Sequence, residues 1–349
     1  MRDYREHLIS INTTLKQALF KLDQLASDAI MFVVDENDKL LGSLTDGDVR
    51  RGLLKGKNLD DQVVDFTQSS PKSIDKVNYS LKDIIQLREN NFKILPVLNQ
   101  DGQVVNVINF RQQKSYLPLD ALVMAGGRGS RLRPMTDIVP KPLLKIGEKS
   151  IIDYNVERLS SFGIDDFHIS VRYLGEQLES HFGSKSMNGV NLNFVWEKEA
   201  LGTLGAASLI ENFHHDFVLI TNSDILTTLD YEDFFLDFLD KEADMSVATV
   251  PYKVDIPYAV METIECQVTS FIEKPSYTYY SNGGIYIVKK ELLKEIPYNQ
   301  FYNATDLMEK IITNGGKLIS YPIHQYWLDI GKPKDFEKAK IDIKHLDFK

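Results

Sequence analysis

Residues 122–144 read LVMAGGRGSRLRPMTDIVPKPLL, and this stretch decides how the chain is organised. An apolar strand-like run, DALVMA at 120–125, passes directly into a loop carrying Gly126, Gly127 and Gly129. In an open α/β sheet the ligand sits beyond the carboxyl end of a strand. Glycines let the backbone turn tightly there, and their N–H groups can face anionic oxygens. Arg128, Arg131, Arg133 and Lys141 put four cations in the same stretch, and arginine adds forked, charge-assisted hydrogen bonds. Pro140 and Pro142 stiffen the backbone around Lys141 by fixing φ. Two familiar phosphate loops do not fit. A dinucleotide fingerprint needs a glycine where Leu132 stands, and GEKS at 147–150 misses the P-loop ending because Glu148 intervenes. The stretch reads as a phosphate loop of another type.

The chain has 349 residues, enough for two or three domains. A hydrophobic content of 43% and a charged content of 26% are ordinary for a protein with a sizeable core. The net charge of −10 makes nucleic acid and an anionic membrane poor partners. Four cations in one glycine-rich loop of an acidic chain therefore point to a local anion. Cys266 is the single cysteine, which excludes an internal disulfide and a cysteine-based zinc site and fits a reducing compartment. The N-terminus MRDYREHLIS is too charged for a secretory leader, and no apolar run reaches bilayer length, so a cytoplasmic location is expected.

The region ahead of the loop repeats itself. TTLKQALFKL (13–22) matches YSLKDIIQLR (79–88), and VVDENDKLLGSLT (33–45) matches VLNQDGQVVNVIN (97–109). Each copy predicts an amphipathic helix, a strand, a turn and a second strand. In GSLTDGDVRRGL (42–53) a strand ends at Thr45 and Asp48 follows where a helix should start. A hydroxyl and a carboxylate at a helix N-terminus can hold a phosphate and a ribose. This pattern resembles the cystathionine-β-synthase (CBS) pair, a module that often binds adenine nucleotides, and implies a regulatory nucleotide at Thr45 and Asp48. Asn109 and Gln112 replace these residues in the second copy, so at most one competent site is expected. Pro118 in KSYLPLD marks the junction, giving a tandem CBS pair over 1–116 and a second domain over 117–349.

The second domain carries a resemblance of its own. MAGGRGSRLRPMTDIVPKPLLKIG (124–147) looks like the signature of the sugar-1-phosphate nucleotidyltransferases, and further segments follow in the expected order. These are ALGTLGAA (200–207), LITNSDIL (219–226), FIEKP (271–275), SNGGIYIV (281–288), NATDLMEKII (303–312) and YWLDIGKPKDFEKA (326–339). The implied fold is α/β: a Rossmann-like mixed-sheet nucleotidyltransferase domain, GT-A-like, preceded by a tandem CBS domain of βαββα type. The implied reaction joins a nucleotidyl group from an NTP to a sugar 1-phosphate and releases pyrophosphate. A phosphate monoester is already ionised near neutral pH, so the work falls to positioning and electrostatics and not to a general base.

The resemblance also implies roles. Gly126, Gly127 and Gly129 would wrap the triphosphate, with Gly202 and Thr203 at the base. Arg131 would contact the leaving pyrophosphate, and Lys141 would lie between nucleophile and α-phosphate. Asp224 and Asp329 would share one Mg²⁺. Glu273 would hold sugar hydroxyls and Lys274 the sugar phosphate, with Asn282 and Gly283 lining the same pocket. LGTLG (201–205) is closer to the Gly-Thr-x-Gly form of guanylyltransferases than to the Gly-Leu-Ala-Gln form of thymidylyltransferases, which favours GTP. The CBS pair resembles the glucosamine-1-phosphate guanylyltransferases of legionaminic-acid synthesis, with mannose 1-phosphate as the alternative. Ala259 in YAV (258–260) and Ser223 depart from glycines common in the family. Rival readings are a phosphocholine-type cytidylyltransferase and a catalytically dead nucleotide sensor. A homo-oligomer is expected.

Other features invite plain structural readings. Thr305 and Asp306 suggest a helix N-cap, and Trp327 a pocket wall. Residues 231–244 suggest an amphipathic helix burying an aromatic face. His214 and His215 lie in a polar turn without acidic or cysteine neighbours at ligand spacing, so no metal is expected there.

Overall fold

In the computed structural model, which describes residues 3–183 and 189–346, the internal repeat folds as two small sheets. β1 (Leu8–Ser10), β2 (Ile30–Val34), β3 (Leu40–Thr45) and β4 (Gln68–Ser69) form the first, and β5 (Ile74–Asp75), β6 (Ile94–Leu98) and β7 (Val104–Asn109) the second. α1 (Leu15–Leu25) and α3 (Leu81–Glu89) occupy matching places, each opened by a capping box, Thr14 with Gln17 and Ser80 with Asp83. α1 buries Leu15, Ala18, Leu22 and Leu25, the helical spacing read from the sequence. α2 (Asp46–Leu54) closes the first copy. No helix follows β7, because the Asn109 amide is spent on Asp28 of the first copy and the chain turns away at residues 110–113. The βαββα plan is thus complete in the first copy and lacks its closing helix in the second. The copies meet hairpin to hairpin: Leu40 N–H donates to Gly102 O and Val104 N–H to Asp38 O. Phe32, Val34, Val104 and Val107 pack between them.

The rest of the chain is built around β8 (Leu119–Met124). β9 (Lys145–Ile146) and β10 (Lys149–Ser150) form a small hairpin, then come α4 (Ile151–Ser161), β11 (Asp166–Val171), α5 (Gly175–Gly183), β12 (Asn191–Trp196) and β13 (Phe217–Asn222). β14 (Ile225–Thr227), α6 (Tyr231–Asp240) and β15 (Met245–Asp255) follow, and β16 (Val260–Ile264) with β17 (Gln267–Ile272) makes a separate hairpin. β18 (Ser276–Lys289), α7 (Lys290–Leu293), α8 (Ala304–Thr313), β19 (Leu318–Pro322), β20 (Trp327–Asp329) and α9 (Pro333–Asp342) complete the order. The central sheet runs β12-β11-β8-β13-β18-β15-β19. Its first four strands are parallel, and β18 is antiparallel to both neighbours.

This topology positions the site. The chain winds outward from β8 to β11 and β12, then returns to β13 on the other flank of β8. The order therefore reverses at the carboxyl ends of β8 and β13, where open α/β sheets hold their ligands. β8 is buried on both faces through Leu119, Ala121, Leu122 and Val123, as a parallel core strand should be. The aromatic face expected after residue 230 is present: α6 buries Tyr231, Phe234, Phe235 and Phe238. Among the described residues no helix is long and apolar enough to cross a membrane.

The repeat is joined to the sheet by more than a linker. Ile74, Leu81, Ile84 and Leu95 of the second copy share one core with Tyr116, Phe162 and Phe167. Arg88 donates twice to Glu232. Lys76 Nζ reaches into the larger domain, 3.2 Å from Asp166 Oδ2 and 3.9 Å from Asp165 Oδ1, and Tyr116 O–H donates to Asp165 Oδ2 at 2.7 Å. Here the sequence expectation for the histidines is corrected. His215 does have acidic neighbours, because β11 brings Asp165 and Asp166 so close that the three ligand atoms lie within 4.8 Å of one another. The ammonium of Lys76 already supplies the positive charge these carboxylates need. Burial pushes Asp165 upward and His215 down to about 4. For Asp166 burial also acts upward, but Lys76 and Asn191 outweigh it and hold the carboxyl low.

Lys76→Met should therefore cost about 3 kcal/mol at pH 8, where two buried carboxylates lose their counter-charge. Without the lysine the Asp165 carboxyl, already raised by burial, rises further and the Asp166 carboxyl loses the charge that holds it low, so stability is kept at low pH and lost as pH rises through the raised values. Urea unfolding at pH 5 and pH 8 should show the larger loss at pH 8, and equal losses would contradict the assignment.

Candidate functional site

β8 delivers the chain to the glycine loop, and the loop is shaped by what lies against it. Gly129 has φ +60°, and a Cβ there would stand 2.9 Å from Lys141 Cβ and 3.1 Å from Thr136 Cγ2. Thr136 O–H donates to Gly129 O at 2.9 Å and ties the loop to the segment leading to Lys141. A Cβ on Gly126 would stand 2.8 Å from Glu197 Oε1. Gly126, Gly127 and Gly129 line an open cleft, and Gly202 and Thr203 line the same cleft. The 201–205 segment is fixed by the start of α8: Leu204 and Gly205 N–H donate to Tyr302 O, and Thr203 Oγ1 accepts from Ala304 N–H at 2.9 Å. The N-cap of α8 is Asn303 and not Thr305 or Asp306; Asp306 stands in the first turn and accepts from Asn303 N–H to close the capping box.

Arg131, Lys141 and Asp224 line the cleft as well. Asp329 is brought to them by pairing of β14 with β20, in which Ile225 faces Asp329 and Ile330 N–H donates to Asp224 O at 3.0 Å. The buried Lys141 ammonium bonds Asp224 Oδ2. The other oxygens, Asp224 Oδ1 and Asp329 Oδ1, are buried without a hydrogen-bond partner. Burial raises the Asp329 carboxyl, the Asp224 charge raises it further, and Lys141 and Arg131 act in the opposite direction. Orphaned carboxylate oxygens from two elements, short of positive charge, are the donor set a hard divalent cation takes. The residues present fit such an ion.

Glu197 and Arg172 were not singled out from the sequence. Both line the cleft. Glu197 is 7% exposed, and its Oε2 accepts from Leu201 N–H at 3.2 Å. Its signal was its position in WEKEALGT, four residues ahead of Leu201. Arg172 follows the carboxyl end of β11, so only the topology places it here. Arg128 lies over the Tyr173 ring at 5.6 Å, and Arg133 pairs with Asp137 at 3.0 Å.

Two groups of expected residues are placed differently. Glu273 and Lys274 are exposed on a β-ribbon that leaves the sheet, and neither lines the cleft. The cause is that β15 and β18 stay paired beyond the sheet edge and carry the EKP turn outward. Asn282 and Gly283 stand at the base of this ribbon, where Asn282 Oδ1 accepts from Gly284 N–H and Gly283 O accepts from Trp327 Nε1–H. Trp327 is thus bonded to the ribbon base. Thr45 and Asp48 are engaged with one another: Asp48 accepts from Thr45 N–H and from its hydroxyl, and also from Arg51. They form the capping box of α2, and Asp48 is free for a ribose only if that box opens.

Comparison with known proteins fits this geometry. A nucleotidyl transferase family model matches residues 120–345, and a CBS domain model matches residues 4–55. A D-glycero-alpha-D-manno-heptose 1-phosphate guanylyltransferase of Aneurinibacillus thermoaerophilus is 31% identical over 230 residues, 65% of this chain and 99% of that protein. A mannose-1-phosphate guanyltransferase beta-A of Xenopus laevis is 32% identical over 231 residues, and the match spans 62% of each protein. Among solved structures, HddC from Yersinia pseudotuberculosis aligns with a TM-score of 0.50 and 26% identity, covering 64% of this chain and 99% of that one.

Gly129→Ala should cost about 1–3 kcal/mol by forcing a side chain into left-handed backbone against the Lys141 stem. Gly127→Ala, whose Cβ would meet nothing within 4 Å, should be neutral. Urea unfolding of both variants checks this, and equal stabilities would refute the loop geometry.

Proposed function

The chain belongs to the nucleotidyl transferase family, and we propose that it transfers a guanylyl group from GTP to a sugar 1-phosphate, with glucosamine 1-phosphate as the sugar. The observation that carries the reading is Glu197. A buried carboxylate at the end of the cleft formed by Gly126 and Leu201 accepts hydrogen bonds and cannot donate them. Guanine presents two adjacent donors, N1–H and the 2-amino group, and no other common nucleobase offers that pair to a carboxylate. The Gly202–Thr203 backbone beside it leaves room for a purine.

The chemistry then follows from charge. An oxygen of the sugar phosphate attacks the α-phosphorus, a new P–O bond forms, and the bond to the β-phosphate oxygen breaks as pyrophosphate leaves. No proton changes hands. Two anions must be brought into line, and the charge on the leaving group must be offset. The glycine-loop N–H groups hold the triphosphate. Arg131 faces the departing phosphates, and Lys141, anchored on Asp224, bridges the approaching oxyanions. Asp224 and Asp329 would hold Mg²⁺, which when bound supplies positive charge to the reacting phosphates. The sugar is assigned on the CBS pair ahead of the domain. The ammonium of glucosamine needs a carboxylate, and Glu273 is the one the EKP motif offers. Thr45 and Asp48 are proposed as the regulatory nucleotide contacts, reached when the α2 capping box opens.

Pyrophosphate release should be measured for four NTPs against glucosamine, mannose, glucose, N-acetylglucosamine and D-glycero-D-manno-heptose 1-phosphates. GTP with glucosamine 1-phosphate should give the highest kcat/KM. A faster mannose or heptose ester would replace the sugar, and a pyrimidine preference would overturn the base. Glu197→Gln should lower kcat/KM for GTP about 10- to 100-fold by losing charge-assisted acceptance. Asp329→Asn should lower kcat by about 10²–10³ with the fold intact, and near-normal turnover would remove the metal assignment.

A further inference from the structure

Among the described residues, five charged side chains line the cleft, and the proposed reaction employs four of them, Arg131, Lys141, Glu197 and Asp224. The fifth is Arg172. β11 and β12 stay paired up to Val171 with Trp196, and Glu197 N–H continues the ladder by donating to Val171 O at 2.9 Å. Arg172 and Glu197 therefore leave the sheet as neighbours, on parallel strand ends about 4.8 Å apart, and project to the same face. Ser170, two positions before Arg172 and on that face by alternation, lines the cleft too. A Cβ on Gly126 would stand 2.8 Å from Glu197 Oε1 and 3.5 Å from Arg172 Cβ, so the bare backbone of Gly126 leaves room beside both.

Arg172 is half-buried, and its Nε is buried with no hydrogen-bond partner. Among the described residues its guanidinium forms no ion pair, and the Glu197 carboxylate beside it is turned to Leu201 N–H and Gly126. A buried donor left without an acceptor is costly, so this cation is placed for an acceptor that arrives with the ligand. A phosphate suits the position poorly, because the neighbouring Glu197 carboxylate repels it. A neutral, flat group with two acceptors beside two donors suits it well. Guanine is such a group: next to its N1–H and 2-amino donors come the acceptors O6 and N7, which an arginine fork takes together. Carboxylate and guanidinium on adjacent strand ends present the complementary polarity in the same order.

We infer that Arg172 is a second specificity residue for the base: it forks onto guanine O6 and N7 while Glu197 accepts from N1–H and the 2-amino group. The inference rests on the guanylyl reading above and extends it from one edge of the base to two. Adenine is then refused twice. It carries an amino group where Arg172 requires O6, and a bare N1 where Glu197 requires a donor. A site whose buried polar groups are left unpaired by the wrong base discriminates strongly.

The test is kcat/KM of the full chain for GTP, 7-deaza-GTP and ITP, in the wild type, Arg172→Met and Arg172→Lys. 7-deaza-GTP lacks the N7 acceptor, and ITP lacks the 2-amino donor. The wild type should lose about 10-fold on 7-deaza-GTP, a comparison that needs no substitution. Arg172→Met should lower kcat/KM for GTP by about 10- to 100-fold, chiefly through KM, and should use GTP and 7-deaza-GTP equally. Arg172→Lys should recover part of the GTP activity, since an ammonium keeps the charge and loses the fork. The loss on ITP belongs to Glu197 and should be the same in all three proteins. A wild type indifferent to N7, or a methionine variant that keeps the 7-deaza penalty, would overturn the role of Arg172. Equal losses for every NTP, carried by kcat, would put Arg172 on the phosphates and overturn it as well. A wild type that prefers another base would sink the guanylyl reading itself, whereas a preference for GTP with blindness to N7 removes Arg172 alone.

Discussion

The contact between the Lys141 ammonium and Asp224 holds the cleft together. Two carboxylates, Asp224 and Asp329, are brought side by side by the pairing of β14 and β20, and like charges in a poorly hydrated place repel. One buried lysine offsets part of that repulsion and leaves an oxygen of each carboxylate unsatisfied. The glycine loop is folded around the same lysine, since Gly129 has no side chain exactly where the Lys141 stem passes. Glycine loop, cation and acidic pair are thus parts of one packing arrangement.

Much of this was legible in the sequence because it is local. A strand followed by three glycines, three arginines and a Pro-Lys-Pro predicts a phosphate loop from residues within about twenty positions of each other, and the order of later segments predicts which aspartates join it. What escaped was set by tertiary packing. Glu197 and Arg172 matter because β11 lies beside β8 and β12 beside β11, an order that strand periodicity cannot tell. His215 acquires acidic neighbours from a strand about fifty residues earlier. Thr45 and Asp48 look like ligand-binding groups in sequence and are a helix cap in space. The EKP turn carries a family motif, yet its position depends on how far two strands stay paired, and no residue pattern states that length.

The missing closing helix of the second repeat has a related cause. Asn109 stands where Thr45 stands in the first copy, and its amide binds Asp28 across the pseudo-symmetry instead of capping a helix. The face that helix would have covered is taken by the larger domain, whose Phe162 and Phe167 complete the core begun by Ile84 and Leu95. The repeat has given up its internal symmetry to become one wall of its neighbour.

β8 and β11 run from that wall to the cleft. Asp120 and Asp166, paired across the two strands, stand at the Lys76 end, while Met124 and Val171 open onto the glycine loop. Both strands are buried along their length and close-packed on each side. Such strands transmit displacement as a stiff rod does, without taking it up. The two regions consequently share a common mechanical frame, and neither can be shifted as baggage independent of the other.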